Sequence, residues 1–173
     1  IDRIKYYLMK SINKIQFNHC ENIICVSDYN LNYLKNIYSI NGCNLTCINN
    51  GVDTDIFYPI EKNRARRDAG LSINNQYIVY AGSFDEYQGL FTLIHSFKKL
   101  IGKHPLLTLI IIGGNNKELI ELDEFIRGLL VNENTILIPK IDEFKLMQYI
   151  CSADVCVAPY SRLAAANNGE DIE

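Results

Sequence analysis

The chain has 173 residues, 48% of them apolar and 21% charged, a composition that describes a folded globular protein and excludes a disordered one. Its formal net charge of −3 gives no global attraction to nucleic acid or anionic lipid, so nucleic acid is not expected as a partner and any anion site has to be local. The longest apolar run, around Leu106 to Ile112, is strand length and far short of the roughly 20 residues that span a bilayer.

Residues 1–18 read as an amphipathic helix, with Ile1, Ile4, Leu8, Ile12 and Ile15 on one face and Arg3, Lys10 and Lys14 on the other. Such a basic helix can lie on a membrane surface, which keeps a peripheral membrane contact open; packing on a domain core is the competing reading. "NIICVSDYN" (22–30) reads as a short buried strand, with Ser27 and Asp28 placed to cap a helix over 29–39. "LTCIN" (45–49) is another short strand, ending in the turn Asn50-Gly51. The charged run "EKNRARRDAGLSINNQ" (61–76) has no strand pattern and reads as a connector with one short helix, which puts a domain boundary near residue 60.

Beyond the connector, strands and helices alternate. "YIVYAG" (77–82), "LLTLIIIGG" (106–114), "TILIPKI" (135–141) and "DVCVAPY" (154–160) read as strands. Between them, Leu90, Leu93, Ile94, Phe97, Leu100 and Ile101 make one helical apolar face, and Leu122, Phe125, Ile126, Leu129 and Leu130 a second. Asp142 is placed to cap a third helix facing inward through Leu146, Tyr149, Ile150 and Ala153. Strands apolar on both faces and separated by helices predict an α/β fold: a Rossmann-like, doubly wound parallel sheet. A fold of that kind normally continues past its fourth strand, so the sequence reads as truncated at both ends.

The six cysteines, Cys20, Cys25, Cys43, Cys47, Cys151 and Cys156, lack the tight spacing of zinc knuckles and have three histidines as co-ligands, so no metal is expected. Cys25 and Cys156 lie in apolar runs, where a thiol acts as a small buried hydrophobe; reduced structural cysteines in a cytoplasmic protein are the expectation.

Ligands of open α/β sheets bind beyond the carboxyl ends of the strands. "YAGSFDEYQGL" puts Gly82 at a strand end and Gly89 at a helix start, and "GGNN" puts Gly113 and Gly114 at the next strand end. Glycine turns in those positions let backbone amides approach an anion, although glycines at strand-to-helix turns also arise for backbone reasons alone. The 82–89 loop carries two acids and no base. Lys140 and Arg162 at two other strand ends, and Lys117 just inside a third loop, could supply positive charge; solvating a rim is the plainer reading of all three. A Rossmann G-x-G-x-x-G and a Walker pattern are both absent, which disfavours NAD and ATP.

The ordered segments "ICVSDYNLNYL", "INNGVDTDIFYP", "YIVYAGSFDEYQGLFTLIHSF", "LTLIIIGG" and "DVCVAPY" resemble the GT-B glycosyltransferases of family 4 ("group 1"), over about residues 20–162. The resemblance implies two facing Rossmann-like domains: 1–60 as the last part of the acceptor-side domain and 77–173 as the start of the donor domain. It implies a retaining glycosyltransferase that takes a nucleotide-diphosphate sugar as donor, and a glycan or lipid-linked molecule as acceptor, with no cofactor, working in the cytoplasm or at the inner face of a membrane. Gly82 with its loop, Gly113, Gly114 and the turn at Lys140 would face diphosphate, sugar or base. Where many members have an Arg after the first glycine and a Lys before the second, this chain has Ser83 and Gln88, whose uncharged donors would take over the diphosphate contact. Arg162 is expected on the same rim. Glu170 and Glu173 fall in the region leading into the sugar-contacting loop, and neither is assigned to the glutamate pair that the family carries further on. No catalytic residue is named, and the chain alone is expected to be inactive. The other reading is a degenerate relative that binds a nucleotide or a partner without chemistry; an epimerase of similar architecture fits Asn50-Gly51-Val52-Asp53 poorly.

Overall fold

The structure is a computed structural model and describes residues 3–38, 40 and 42–160. The contact pattern divides the chain into two compact units, Ile1–Val52 and Asp53–Glu173.

In the first unit, α1 (Arg3–Asn18) leads to β1 (Asn22–Cys25), α2 (Asp28–Tyr38) and β2 (Asn44–Cys47). β1 and β2 pair in parallel, with Ile23 opposite Leu45 and Cys25 opposite Cys47. Ser27 does hold the start of α2, its Oγ accepting from the Asn30 amide at 3.2 Å, while Asp28 is the first helical residue. Two expectations are corrected. The Ile4, Leu8, Ile12 and Ile15 stripe of α1 stays 41–77% exposed, and the helix packs instead through Phe17, whose ring meets Tyr38 edge-on at 5.0 Å, and Asn13, which donates to the Tyr38 hydroxyl. β1 is not a buried strand: Cys25 is buried but Ile24 is 64% exposed, because a two-stranded sheet cannot cover both of its own faces.

The second unit opens with α3 (Lys62–Asp68), followed by β3 (Gln76–Ala81), α4 (Leu90–Ile101), β4 (Leu107–Ile112), α5 (Asn116–Gly128), β5 (Thr135–Ile138), α6 (Glu143–Ser152) and β6 (Val155–Cys156). The four strands form one parallel sheet in the order β5-β4-β3-β6. The predicted α/β architecture is therefore present. Alternation along the strands builds two core layers. Tyr80, Leu109 and Ile111 face Leu90, Ile94 and Phe97 of α4 and Leu122 and Ile126 of α5. Tyr77, Val79, Ile110 and Ile112 face the other way, towards Leu146 and Tyr149 of α6. All six residues of β4 are buried, and each large aliphatic side chain placed there is worth about 1.5–3 kcal/mol over exposure.

The outer strands are shorter than their apolar runs predict. β5 stops before Pro139. β6 pairs with β3 only at Ile78↔Val155 and Val79↔Cys156; one further bond from the Val157 amide to Val79 O follows, and Pro159 then has no N–H to offer. Cys156 is exposed on this edge, not buried as its neighbours suggested.

The charged run 61–76, expected as a connector, is part of the second unit's framework. Glu61 caps α3, its carboxylate accepting from the amides of Asn63 and Arg64 at 2.9 and 2.7 Å. Arg66 is only 5% exposed. It donates to the carbonyls of Ser152 and Ile73, both at 3.1 Å, pairs with Asp154 at 2.7 Å, and stacks over Tyr77 at 5.1 Å. Asp154 also accepts from Lys62 and from the Tyr77 amide. Burial alone would raise the Asp154 pKa, but the Tyr77 amide, Lys62 and Arg66 outweigh it and hold the carboxyl below its ordinary range.

The end of α5 gives a clean stability prediction. Leu130 sits at φ 58°, with its amide bonded to Arg127 O and the following Val131 amide to Ile126 O, the pattern of a Schellman stop. Its side chain is 82% exposed, so it gains little from packing. Leu130→Gly is expected to raise stability by about 0.5–1 kcal/mol in urea denaturation, as left-handed strain is relieved against the greater freedom of an unfolded glycine.

Candidate functional site

The chain runs β3-α4-β4-α5-β5 in one direction across the sheet, and α6 then carries it back to the far side of β3. Strand order reverses beside β3, the kind of place where open α/β sheets bind ligands. Here the β3 and β4 ends touch. The Gly82 amide continues the ladder to Ile112 O and the Gly113 amide to Ile138 O, each at 3.0 Å. A Cβ on Gly113, at φ 136°, would lie 2.0 Å from the Gly82 carbonyl oxygen. One on Gly114, at φ 68°, would lie 2.5 Å from the Phe84 ring. Both glycines are thus required by chain-to-chain and chain-to-ring approach, whatever else they do.

Gly82, Ser83, Gly113, Gly114 and Lys140 line one cleft of about 450 Å³. Ile141 and Leu146 add an apolar wall and Glu143 an acid at the start of α6. Sequence reasoning missed these three; their only signal was nearness to Lys140 and to the cap Asp142, which does accept from the Lys145 amide at 2.9 Å. Lys140 makes no ion pair among the described residues. Lys117 points its charge elsewhere, to Glu121 on the surface of α5 at 3.6 Å. Arg162 and Glu170 lie outside the described residues.

Ser83 and Gln88 are engaged within the loop itself, Ser83 through its one hydroxyl proton and Gln88 through one of its two amide hydrogens. The Ser83 hydroxyl donates to Asp85 at 2.6 Å, and Gln88 Nε2 donates to the Ser83 oxygen at 3.4 Å. Gln88 sits in a short 3₁₀ turn (Glu86–Gln88) and is not part of the cleft lining. The loop is held together by its own side chains, with Asp85 as the acceptor that sequence reasoning did not use. The two helix starts differ too. Asn115 and Glu118 form a capping box that occupies the first amides of α5. At α4, Gly89 at φ 71° has no side chain to cap the helix, so its start lacks the side-chain cap that α5 has.

A model of the family described as "Glycosyl transferases group 1" matches residues 61–168. The chain belongs to this family. Among relatives of the group 1 glycosyl transferases, it is 23% identical over 147 residues to D-inositol 3-phosphate glycosyltransferase 2 of Catenulispora acidiphila, covering 80% of this chain and 34% of that protein. The chain thus spans about a third of the length of that curated relative. Among solved structures, sucrose-phosphate synthase (tll1590) from Thermosynechococcus elongatus superposes with a TM-score of 0.72 at 20% identity, over 90% of this chain and 40% of that one. Anabaena Alr3699/HepE in complex with UDP-glucose gives a TM-score of 0.64 at 16% identity, over 89% and 44%. The GT-B type of Rossmann-like fold is the one this group 1 chain shares with them. Among its described residues no helix is long and apolar enough to cross a membrane.

Proposed function

We propose that this chain is the nucleotide-binding part of a retaining glycosyltransferase, one that moves a sugar from a nucleotide-diphosphate donor to a glycan or lipid-linked acceptor without a separate cofactor. The observation that carries the reading is the cleft at the carboxyl ends of β3, β4 and β5, where main chain at Gly82 and Gly113 meets a cation, Lys140, that has no ion-pair partner among the described residues. The Ile141 and Leu146 wall suits the flat face of a base. The neighbour crystallised with UDP-glucose makes UDP the first nucleotide to try.

A second reading, a nucleotide binder without chemistry, is favoured by one observation: the 82–89 loop carries no cation, and its Ser83 hydroxyl donates to Asp85 while Gln88 donates to Ser83. Calorimetry with UDP, GDP and ADP tests the binding common to both readings. Binding of one of them is expected, weakened about tenfold by Lys140→Ala, the scale of one charge-assisted contact; failure of all three to bind sinks the nucleotide site. Turnover of nucleotide sugars by the full-length protein separates enzyme from binder.

A further inference from the structure

Tyr80 is 2% exposed, and its ring packs in the core layer with Leu90 and Phe97. Its hydroxyl does not end in that core. It donates to the carbonyl oxygen of Ser83, three residues further on. The same hydroxyl oxygen would stand 2.9 Å from a Cβ placed on Gly82. The phenol therefore reaches out of the core to the turn that follows β3, and two residues of that turn, Gly82 and Ser83, line the cleft. A phenylalanine would supply the same apolar packing, so the hydroxyl has a task of its own. Burial, reinforced by Tyr160, Asp85 and Tyr87, pushes the phenol up to about 12, and it stays a protonated donor at neutral pH.

We propose that Tyr80 is a positioning residue for nucleotide binding: its hydroxyl pins the Ser83 carbonyl and so holds the Gly82–Ser83 main chain in the place where it lines the cleft. The role rests on the reading of that cleft as a nucleotide site. Tyr80 acts through Gly82 and Ser83 and does not itself touch the ligand. Holding the turn before the ligand arrives spares the ordering of a loop on binding, which is where preorganisation gains affinity.

Tyr80→Phe removes the hydroxyl alone. Tyr77→Phe, a tyrosine equally buried in the opposite layer, is the control for general core damage. Two measurements on the chain decide the matter. Hydrogen exchange of the free protein is expected to speed up at amides 83–89 in Tyr80→Phe and not in Tyr77→Phe. Calorimetry is expected to show UDP binding about tenfold weaker in Tyr80→Phe and unchanged in Tyr77→Phe. Unchanged exchange at 83–89 overturns the pinning, with or without nucleotide. Faster exchange with unchanged UDP affinity overturns the role in binding. If the parent chain binds no nucleotide, the reading of the cleft fails by itself and the exchange data still decide whether Tyr80 holds the turn.

Discussion

Arg66→Met is expected to destabilise the second unit by about 3 kcal/mol, lowering its thermal midpoint by roughly 10 °C. The substitution keeps the aliphatic stem and removes the guanidinium. It leaves the carbonyls of Ser152 and Ile73 without their donor and strips Asp154 of its 2.7 Å partner. Breaking a buried pair from one side typically costs about 3–5 kcal/mol, since the remaining charge and acceptors are left behind. The lower end applies, because the Asp154 side chain is 34% exposed and retains Lys62 at 2.9 Å. Arg64→Met is the matched control. That side chain is 72% exposed and reaches Asp68 only at 3.7 Å, so a change under about 0.5 kcal/mol is expected. Urea denaturation followed by far-UV circular dichroism reads both; similar midpoints for the two variants would show that the Arg66 network does not hold the unit together.

Gly113→Ala is expected to cost about 3 kcal/mol or more in stability and to abolish nucleotide binding at any practical concentration. The added methyl would sit 2.0 Å from the Gly82 carbonyl oxygen, a backbone atom, and in a backbone conformation that L residues rarely adopt. Neither chain can step aside, since the amides of Gly82 and Gly113 are both fixed in the ladder. Gly82→Ala should be milder, for its Cβ meets a side-chain hydroxyl, that of Tyr80, at 2.9 Å. Gly128→Ala has nothing within 4 Å and should be neutral or slightly stabilising. The ranking Gly113 > Gly82 > Gly128 in loss of folding free energy, measured in one urea series, is the check; a well-folded Gly113→Ala chain that still binds UDP would refute the close-approach account.

Periodicity carried most of the second unit. The α4 face through Leu90, Ile94 and Phe97, the α5 face through Leu122 and Ile126, the alternation of β3 and the cap at Asp142 are all short-range patterns, and short-range patterns are what a lone sequence displays. Leu130, read as part of the α5 face, lies instead beyond the helix and is 82% exposed. What it hid was decided by neighbours distant in the chain. The 61–76 run looks like a linker because it is charged, yet Arg66 is buried against Ser152 and Asp154, more than 80 positions away. Cys156 looks buried among Val155 and Val157, but β6 is an edge strand with too short a ladder to be covered. The α1 stripe reads as its packing face, whereas Phe17 makes the contact with Tyr38. At the site, residues at strand ends could be named because topology gathers strand ends; Gly82, Ser83, Gly113, Gly114 and Lys140 do share a cleft. Which donors were free could not be read. Ser83 and Gln88 have the right chemistry for phosphate, but Asp85, two residues on, takes the Ser83 proton, and Gln88 donates to Ser83. Glu143 and Ile141 carried no pattern that set them apart from any helix start.

The contact between Gly82 and Gly113, with Phe84 laid on Gly114, welds two turns into a single rigid jaw. A jaw of that kind tolerates neither insertion nor bulk on one side without a matching change on the other. Retuning which molecule the cleft accepts therefore falls to the exposed lining residues Lys140 and Glu143, which can be exchanged one at a time, whereas Ile141 is also packed on the core layer of Tyr77 and Val79.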